Sequence, residues 1–131
     1  MFYTIGYQKR RLQDLIDDLE KWLIDIVIDV RSKPNSKNPT WRPDNLRDAL
    51  GKRGIKYYYN GRKLGGFGKF NKEALEPYIK KIERDEINIC FLCFESDHKT
   101  CHRYYKIGKL LNSRGHTVWH ITPLGRLSRQ K

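Results

Sequence analysis

The chain has 131 residues, 38% of them hydrophobic, and its 27 basic and 15 acidic side chains give a formal net charge of +12. This composition argues against a disordered chain and allows one domain whose core needs neither disulfides nor metal ions. No window approaches the ~20 apolar residues of a membrane span, and the first residues lack a signal-peptide pattern, so we expect a soluble cytoplasmic protein. Three cysteines form a poor disulfide framework and fit the same reducing compartment.

Strand-like and helix-like patterns alternate along the chain. Apolar, β-branched and aromatic runs predict strands at 2–5, 24–30, 55–59, 87–94 and 117–121. Apolar residues at helical spacing predict helices near 9–22, 43–54, 73–84 and 102–114. This alternation predicts an α/β fold, a single-domain three-layer sandwich with a mostly parallel, roughly five-stranded sheet. We expect the domain to span residues 1–122, followed by a basic, frayed C-terminal tail over 123–131.

Two segments between these elements are predicted to be loops. Residues 32–43 contain three prolines and many polar groups. Residues 64–69 are glycine-rich but match neither the dinucleotide fingerprint nor the Walker pattern. The second loop is therefore predicted to be either a flexible lid or a close approach of the backbone to a ligand.

Polar side chains follow the end of the second predicted strand. The carboxyl ends of parallel strands meet at one edge of a sheet, where α/β proteins bind ligands. Asp29 and Arg31 are two positions apart on a strand, so their side chains should point to the same side. Asp29 could act as a base, and Arg31 could bind a phosphate or carboxylate with two hydrogen bonds. Alternatively, the two side chains pair with each other and close the end of the sheet.

The fourth predicted strand ends in Glu95, and a helix begins soon afterwards. A carboxylate at the end of an apolar strand loses hydration, which suits it to proton transfer; alternatively, it pairs with Arg31 or Arg103. Cys101 precedes the helix, where backbone N–H groups and Arg103 could stabilise a nucleophilic thiolate. His102 could serve as a nucleophile or an acid, and Arg103 could hold an anion. Alternatively, the cysteine only caps or packs there.

Cysteine and histidine side chains near this turn also raise the question of a metal site. The possible zinc ligands are Cys93, His98, Cys101 and His102. Cys93 should share a strand face with Glu95, whereas Cys90 should point the opposite way, so the spacing does not favour a closed metal site. We expect neither a metal ion nor another cofactor. His120, in the last predicted strand, is either a core residue or part of the same edge.

The middle of the chain mixes basic and aromatic residues. Its cations include Arg42, Arg53, Arg62, Lys63 and Lys69. Its aromatic residues are Trp41, Tyr57, Tyr58, Tyr59, Phe67 and Phe70. Aromatic rings between cations suit stacked bases and phosphates, so these cations are candidate nucleic-acid ligands. The alternative is that the rings pack in the core and the cations are simply solvated.

Six motifs occur in order along the chain. They are Tyr-Thr-Ile-Gly-Tyr from residue 3, Asp-Val-Arg-Ser-Lys-Pro from 29, Leu-Gly-Gly from 64, Leu-Cys-Phe-Glu from 92, Cys-His-Arg from 101 and Val-Trp-His-Ile from 118. With these motifs, the chain resembles the domain of unknown function 488 family from residue 2 to about 121. The resemblance implies a compact α/β domain of the bacterial or archaeal cytoplasm. It also implies a site built from the Asp-Val-Arg, Cys-x-Glu and Cys-His-Arg motifs, but no settled activity.

Three functional hypotheses follow from these patterns. The first is an enzyme or binder acting on a phosphate-containing ligand, nucleic acid or nucleotide, in the motif crevice. The second is a noncatalytic nucleic-acid-binding domain that uses the positive charge. The third is a thiol or metal sensor that uses Cys93 and Cys101. Nucleic acid or a nucleotide is the expected partner in the first two, and no membrane contact is expected.

Overall fold

The sheet at the centre of the protein has six strands in the order β3-β2-β4-β1-β5-β6. In the computed structural model, which describes residues 1–131, the strands are β1 (Phe2–Gly6), β2 (Ile26–Asp29), β3 (Lys56–Tyr59), β4 (Ile89–Cys93), β5 (Val118–Ile121) and β6 (Leu127–Arg129). All neighbouring strands are parallel except β5 and β6. The mostly parallel α/β sandwich is therefore confirmed, with one strand more than we predicted.

The additional strand lies in the segment that we expected to fray. β6 pairs antiparallel with β5, and Gln130 behind it is only 3% exposed. The Gln130 side-chain oxygen lies 2.6 Å from Nε2 of His120. Because the segment is short and basic, its pairing gave no periodic signal in the sequence, yet the sheet continues past residue 122.

The helices lie close to their predicted positions. They are α1 (Leu12–Lys21), α2 (Pro43–Gly51), α3 (Gly61–Leu64), α4 (Glu76–Arg84) and α5 (Lys109–Ser113). A π-helical stretch over Arg103–Gly108 leads into α5, and the short helix α3 occupies the start of the region that we predicted to be turn and loop. None of these helices has the length and apolar character needed to cross a bilayer.

The crossovers place the helices on both faces of the sheet. The connections β1–α1–β2 and β2–α2–β3 run towards the β3 edge, whereas the connections through α4 and α5 run the other way. Right-handed crossovers that run in opposite directions cover opposite faces. One core cluster accordingly joins Leu15 and Leu46 to one face of the sheet, and a second joins Ile79 and Leu111 to the other face.

This topology creates a crevice between β1 and β4. The two strands are neighbours, with Gly6 opposite Cys93, but their following helices lie on opposite faces of the sheet. A sheet opens at such a switch point because no connecting segment covers the gap beyond the carboxyl ends of the two strands. The crevice is bordered on one side by β2, so the chain segments that follow β1, β2 and β4 converge there.

Candidate functional site

A cavity of 460 Å³ opens in this crevice, and we call it the motif pocket. It is lined by Tyr7, Arg31, Ser32, Lys33, Gly66, Phe67, Cys93, Phe94, Glu95, Thr100, Cys101 and His102. Four of the six side chains that we assigned to catalysis or anion binding therefore line one cavity. The other two, Asp29 and Arg103, are fully buried and lie outside the lining.

Asp29 and Arg31 form a buried ion pair at the end of β2. The Arg31 Nη2 atom lies 2.6 Å from Asp29 Oδ2, and Arg31 Nε donates to both carboxylate oxygens, at 2.9 and 3.1 Å. The Arg31 backbone N–H and the Tyr57 hydroxyl also donate to this carboxylate. The pair thus closes the end of the sheet, and the geometry does not favour Asp29 as a base.

Arg31 also fixes one wall of the motif pocket. Its Nη1 donates to the Trp41 carbonyl at 2.7 Å, and its guanidinium carbon lies 5.2 Å from the centre of the Tyr7 ring. Tyr7 in turn stacks on Trp41, with 4.6 Å between ring centres. With all three guanidinium nitrogens bonded inside the protein, Arg31 orients an aromatic wall rather than forming an open anion clamp.

Arg103 is the largest fully buried side chain of the protein. Its Nη1 donates to Cys93 Sγ at 2.8 Å and to the Glu95 carbonyl, and its Nη2 donates to the Ser96 carbonyl at 3.2 Å. No carboxylate pairs with this cation, and its Nε has no partner. We expected Arg103 to bind an anion from the ligand; the structure places it behind the pocket, where it holds the chain after β4.

Gly6 is what allows Arg103 to reach this position. A Cβ atom at residue 6 would lie 1.8 Å from the Glu95 carbonyl oxygen and 2.6 Å from Arg103 Nη1. Any side chain at the end of β1 would therefore displace either the guanidinium or the Glu95 backbone. The glycine of the Tyr-Thr-Ile-Gly-Tyr motif thus leaves the space in which the Glu95 carbonyl and the Arg103 guanidinium approach the end of β1.

The thiols of Cys93 and Cys101 lie 2.8 Å apart, and both line the motif pocket. Burial alone would raise the pKa of Cys93, but hydrogen bonds from Cys101 and Arg103 and the charge of Arg103 outweigh burial and lower it. The hydrogen bond to Cys93 and burial both raise the pKa of Cys101. We predicted a reactive thiolate at Cys101; the opposite directions of the two pKa shifts instead favour Cys93 as the thiol that ionises more readily, with Cys101 as its hydrogen-bond donor.

This assignment predicts the pH dependence of thiol alkylation. Iodoacetamide should label Cys93 before Cys90 and Cys101, with a midpoint below the ordinary thiol pKa of 9.0. The Arg103→Lys substitution loses the forked hydrogen bonds and should raise this midpoint, measured by mass spectrometry of peptides across a pH series. An unchanged midpoint would contradict the role of Arg103.

The same shift has a consequence for stability. Because folding lowers the pKa of Cys93, its thiolate stabilises the folded protein at pH values above the unfolded-state pKa. This contribution is lost as the pH falls through the folded-state pKa.

Glu95 and His102 complete the polar end of the pocket. The Glu95 carboxylate is partly exposed and accepts no hydrogen bond from the protein, although we considered Arg31 and Arg103 as partners. His102 Nδ1 lies 3.5 Å from Cys101 Sγ, and its buried Nε2 has no partner. Both side chains therefore keep polar atoms that are not bonded within the protein.

The same atoms bear on the question of a metal ion. Sγ of Cys93, a carboxylate oxygen of Glu95 and Sγ of Cys101 lie within 4.8 Å of one another and could offer three ligands. However, two thiolates on one zinc ion lie about 3.8 Å apart for Zn–S bonds of ~2.3 Å, and a guanidinium already binds Cys93. His98 stacks on His120 at 4.4 Å instead of joining the thiols. The structure thus favours arginine as the cation at Cys93.

The glycine-rich loop packs on the segment after β2. A Cβ at residue 65 would meet Ser32 Oγ at 2.1 Å, and one at residue 66 would meet the His102 ring at 3.0 Å. The Phe67 backbone N–H donates to Ser32 Oγ at 3.0 Å. The close-approach interpretation therefore describes this loop better than the lid, although the approach is to protein atoms. Phe67 is left 74% exposed at the pocket mouth.

The five candidate nucleic-acid ligands do not form one surface. Arg62, Lys63 and Lys69 line a shallow depression, the basic basin, together with Phe70, Asn71, Lys72 and Glu73. Arg53 pairs with Glu20 of α1 at 2.5 Å, and Arg42 donates to the Ser36 carbonyl at 2.9 Å. Only the basin groups several of these cations in one concave surface.

Several aromatic rings that we considered for base stacking belong to the core. Trp41 and Tyr57 are 6% and 5% exposed, and Tyr59 donates its hydroxyl to the Arg31 carbonyl at 2.7 Å. His120 is also a core residue, between Thr4 and Gln130, and burial lowers its pKa to about 3. Tyr58 and Phe67 are the exposed members of that aromatic set, and Phe67 lies on the pocket rim with Phe94, an exposed ring that we had not considered.

The comparison with known families assigns the chain to one family. The family model described as "Domain of unknown function DUF488" matches residues 11–76, about half of the chain. The protein belongs to the DUF488 family. The matched region of this DUF488 protein contains the Asp-Val-Arg motif and the glycine-rich loop, whereas the Cys-x-Glu and Cys-His-Arg motifs lie outside it. No curated protein and no solved structure matches the chain.

Sequence reasoning missed two features of the DUF488 site. It treated Cys93 only as a possible metal ligand or sensor thiol, and it placed Arg103 in contact with a ligand. A signal for the burial of Arg103 was present, because Arg103, Ile107 and Leu111 recur every four residues and all three are buried on one helical stripe. Lys33 had no such signal, since the fold of its loop brings it to the pocket.

Proposed function

We propose that this protein is an enzyme that acts on a phosphate-containing ligand, a nucleotide or nucleic acid, bound in the motif pocket. The proposal rests on one observation: the pocket contains a carboxylate without a protein partner, Glu95, beside His102 and the thiol pair. A free carboxylate beside a histidine and an arginine-bound thiol provides both proton transfer and a nucleophile. Asp29, by contrast, is occupied by its ion pair.

The pocket walls support a ligand with a flat ring and a charged group. Tyr7, Phe67 and Phe94 provide aromatic surface on which a nucleobase can stack. Lys33 is exposed on the same rim, with its Nζ 5.7 Å from the centre of the Phe67 ring. Because the donors of Arg31 and Arg103 are largely used within the protein, Lys33 replaces them in our assignment as the ligand for phosphate.

The proposed chemistry divides roles among three side chains. The Cys93 thiolate is the candidate nucleophile, and His102 gives a proton to the leaving group as its bond to phosphorus breaks. Glu95 then accepts a proton from the water that attacks the phosphoryl group on Cys93, which breaks the sulfur–phosphorus bond and restores the thiolate. Arg103 acts on Cys93 and the backbone after β4, so it is a positioning residue.

The test is a screen of nucleotides and labelled single- and double-stranded DNA and RNA for binding and for turnover. Neither binding nor turnover of any class would contradict the proposal.

A second candidate function, noncatalytic nucleic-acid binding, is favoured by the basic basin. The basin is a shallow depression with a volume of about 630 Å³. The partly buried ring of Phe70 lies there beside four exposed cations, Arg62, Lys63, Lys69 and Lys72. Such a surface binds the backbone of a single strand through phosphate contacts and base stacking. Both functions can belong to one protein if the strand in the basin delivers its end to the motif pocket.

Charge removal in the basin gives a quantitative prediction. The double substitution Lys63→Ala and Lys69→Ala should weaken binding of single-stranded oligonucleotides and reduce the salt slope of log affinity by about 1.4, since each phosphate contact contributes ~0.7. The matched control, Lys52→Ala with Lys80→Ala, removes two lysine charges from exposed positions outside the basin. Fluorescence anisotropy across a salt series measures both. Equal slopes for the two variants would contradict a role of the basin.

A further inference from the structure

We propose that Cys93 and Cys101 form a redox-active dithiol, in which a hydroperoxide oxidises Cys93 and Cys101 then closes a reversible disulfide. This activity goes beyond the proposed function and does not depend on the identity of the phosphate-containing ligand. It rests on the placement of two thiols and one buried cation at the end of the motif pocket.

The two sulfur atoms are placed for bond formation. They lie 2.8 Å apart, and a disulfide requires about 2.05 Å. Cys93 is the last residue of the central strand β4, between β1 and β2, whereas Cys101 lies between a short turn and the π-helical stretch. Since irregular backbone shifts more readily than a central strand, Cys101 supplies the small movement that closes the bond.

The buried cation determines which of the two thiols reacts first. Arg103 is fully buried without a carboxylate partner, and its Nη1 lies 2.8 Å from Cys93 Sγ. An unpaired buried charge is costly, so ionisation of Cys93 supplies the missing counter-charge. Cys93 is therefore the sulfur that attacks, and Cys101 is the one that resolves. Cys90, on the opposite sheet face, belongs to the other core cluster and has no such cation.

The chemistry balances in two steps. The Cys93 thiolate attacks one oxygen of the hydroperoxide; a sulfur–oxygen bond forms, the oxygen–oxygen bond breaks, and hydroxide or alkoxide leaves, giving Cys93 sulfenic acid. The Cys101 thiol then loses its proton, for which Glu95 is a nearby acceptor, and its sulfur attacks Cys93. The disulfide forms, the sulfur–oxygen bond breaks, and the departing hydroxide takes up a proton to leave as water.

Reversibility follows from the same cation. Disulfide formation removes the thiolate, so Arg103 loses its counter-charge inside the protein. Stabilisation of the reduced form by such a contact makes a disulfide easier to reduce, because reduction restores the ion pair. A dithiol reductant supplies the two electrons and two protons that regenerate Cys93 and Cys101. Oxidation thus converts the pocket into a state without its nucleophile, and reduction restores it.

The experiment titrates fully reduced protein, purified without a tag, with hydrogen peroxide. We expect the loss of two of the three free thiols, a linked Cys93–Cys101 peptide in the mass spectrum, and full recovery with a dithiol. The Cys101→Ala variant should instead accumulate Cys93 sulfenic acid, trapped with dimedone. The matched control, Cys90→Ala, removes a thiol from the same strand and should form the disulfide like the wild type.

Three outcomes would overturn the proposal. One is resistance of the wild-type thiols to peroxide that oxidises free cysteine. Another is oxidation of Cys101 at an unchanged rate in the Cys93→Ala variant, because Cys93 would then not be the attacking thiol. The third is tightly bound zinc, detected by metal analysis, that protects both thiols, since the pair would then be a metal site. The wild-type measurement requires no variant, so it decides the question even if a substitution impairs folding.

Discussion

The Asp29→Asn substitution is expected to lower the free energy of unfolding by about 3–5 kcal/mol, because it leaves the buried Arg31 cation without its counter-charge. An asparagine side chain presents one acceptor oxygen where the carboxylate receives bonds from Arg31 and Tyr57. Arg31 is 5% exposed, so water cannot replace the lost partner. Urea denaturation followed by circular dichroism measures the change.

An exposed ion pair provides the matched control for this prediction. Asp14 pairs with Arg11 at 3.1 Å on the surface of α1, and both side chains are well hydrated. The Asp14→Asn substitution makes the same chemical change and should leave the denaturation midpoint close to that of the wild type. Equal effects of the two substitutions would show that the Asp29–Arg31 pair does not hold the sheet end together.

The Glu95→Gln substitution is expected to reduce turnover of the pocket's substrate by about 10²–10⁴-fold while leaving its binding largely intact. Glutamine keeps the shape of the side chain but cannot accept a proton. Removal of the negative charge should also reduce repulsion of a phosphate, so affinity should stay constant or rise. The measurement compares kcat and the dissociation constant for a nucleotide or oligonucleotide that the wild-type protein converts.

Glu86 offers the control at the other end of β4. It is exposed and precedes the strand that Glu95 follows. The Glu86→Gln substitution changes the net charge by the same amount and should leave both constants unaltered. Wild-type turnover in the Glu95→Gln variant would remove the proposed proton-transfer role of Glu95.

The sheet and its chemical edge were predictable because both depend on local patterns. Apolar runs separated by helical periodicity indicate parallel strands, and the carboxyl ends of such strands share an edge. The sequence alone therefore predicted that Asp29, Glu95 and Cys101 lie near one another. What these side chains contact was a separate question, since a two-residue spacing is compatible with both an ion pair and a shared ligand.

The more readily ionised thiol could not be assigned because it depends on where one long, buried side chain ends. Arg103 follows Cys101 by two residues, and proximity in sequence favoured Cys101 as its partner. In the folded protein the guanidinium reaches Cys93 and the carbonyl after it, a path that Gly6 leaves open. The contact of a helical arginine with the end of β4, rather than spacing along the chain, determines which thiol ionises more readily.

The net charge of the chain likewise could not show which of its cations lie on one surface. Arg53 is paired with α1, and Arg42 is bonded to its own loop, so neither adds to the basic basin. Arg62, Lys63 and Lys69 lie together because the short helix α3 and the chain after it curve around one depression. The sequence shows how many cations exist, whereas the fold determines how many face one polyanion.

The strand that ends the sheet also has a consequence for solubility. The outermost strands, β3 and β6, have four and three residues, and each carries an exposed cation, Lys56 or Arg129. Short, charged borders discourage two sheets from joining side by side. A chain that stopped at residue 126 would expose the uncharged border of β5, so we expect it to aggregate, although it would keep every residue of the motif pocket.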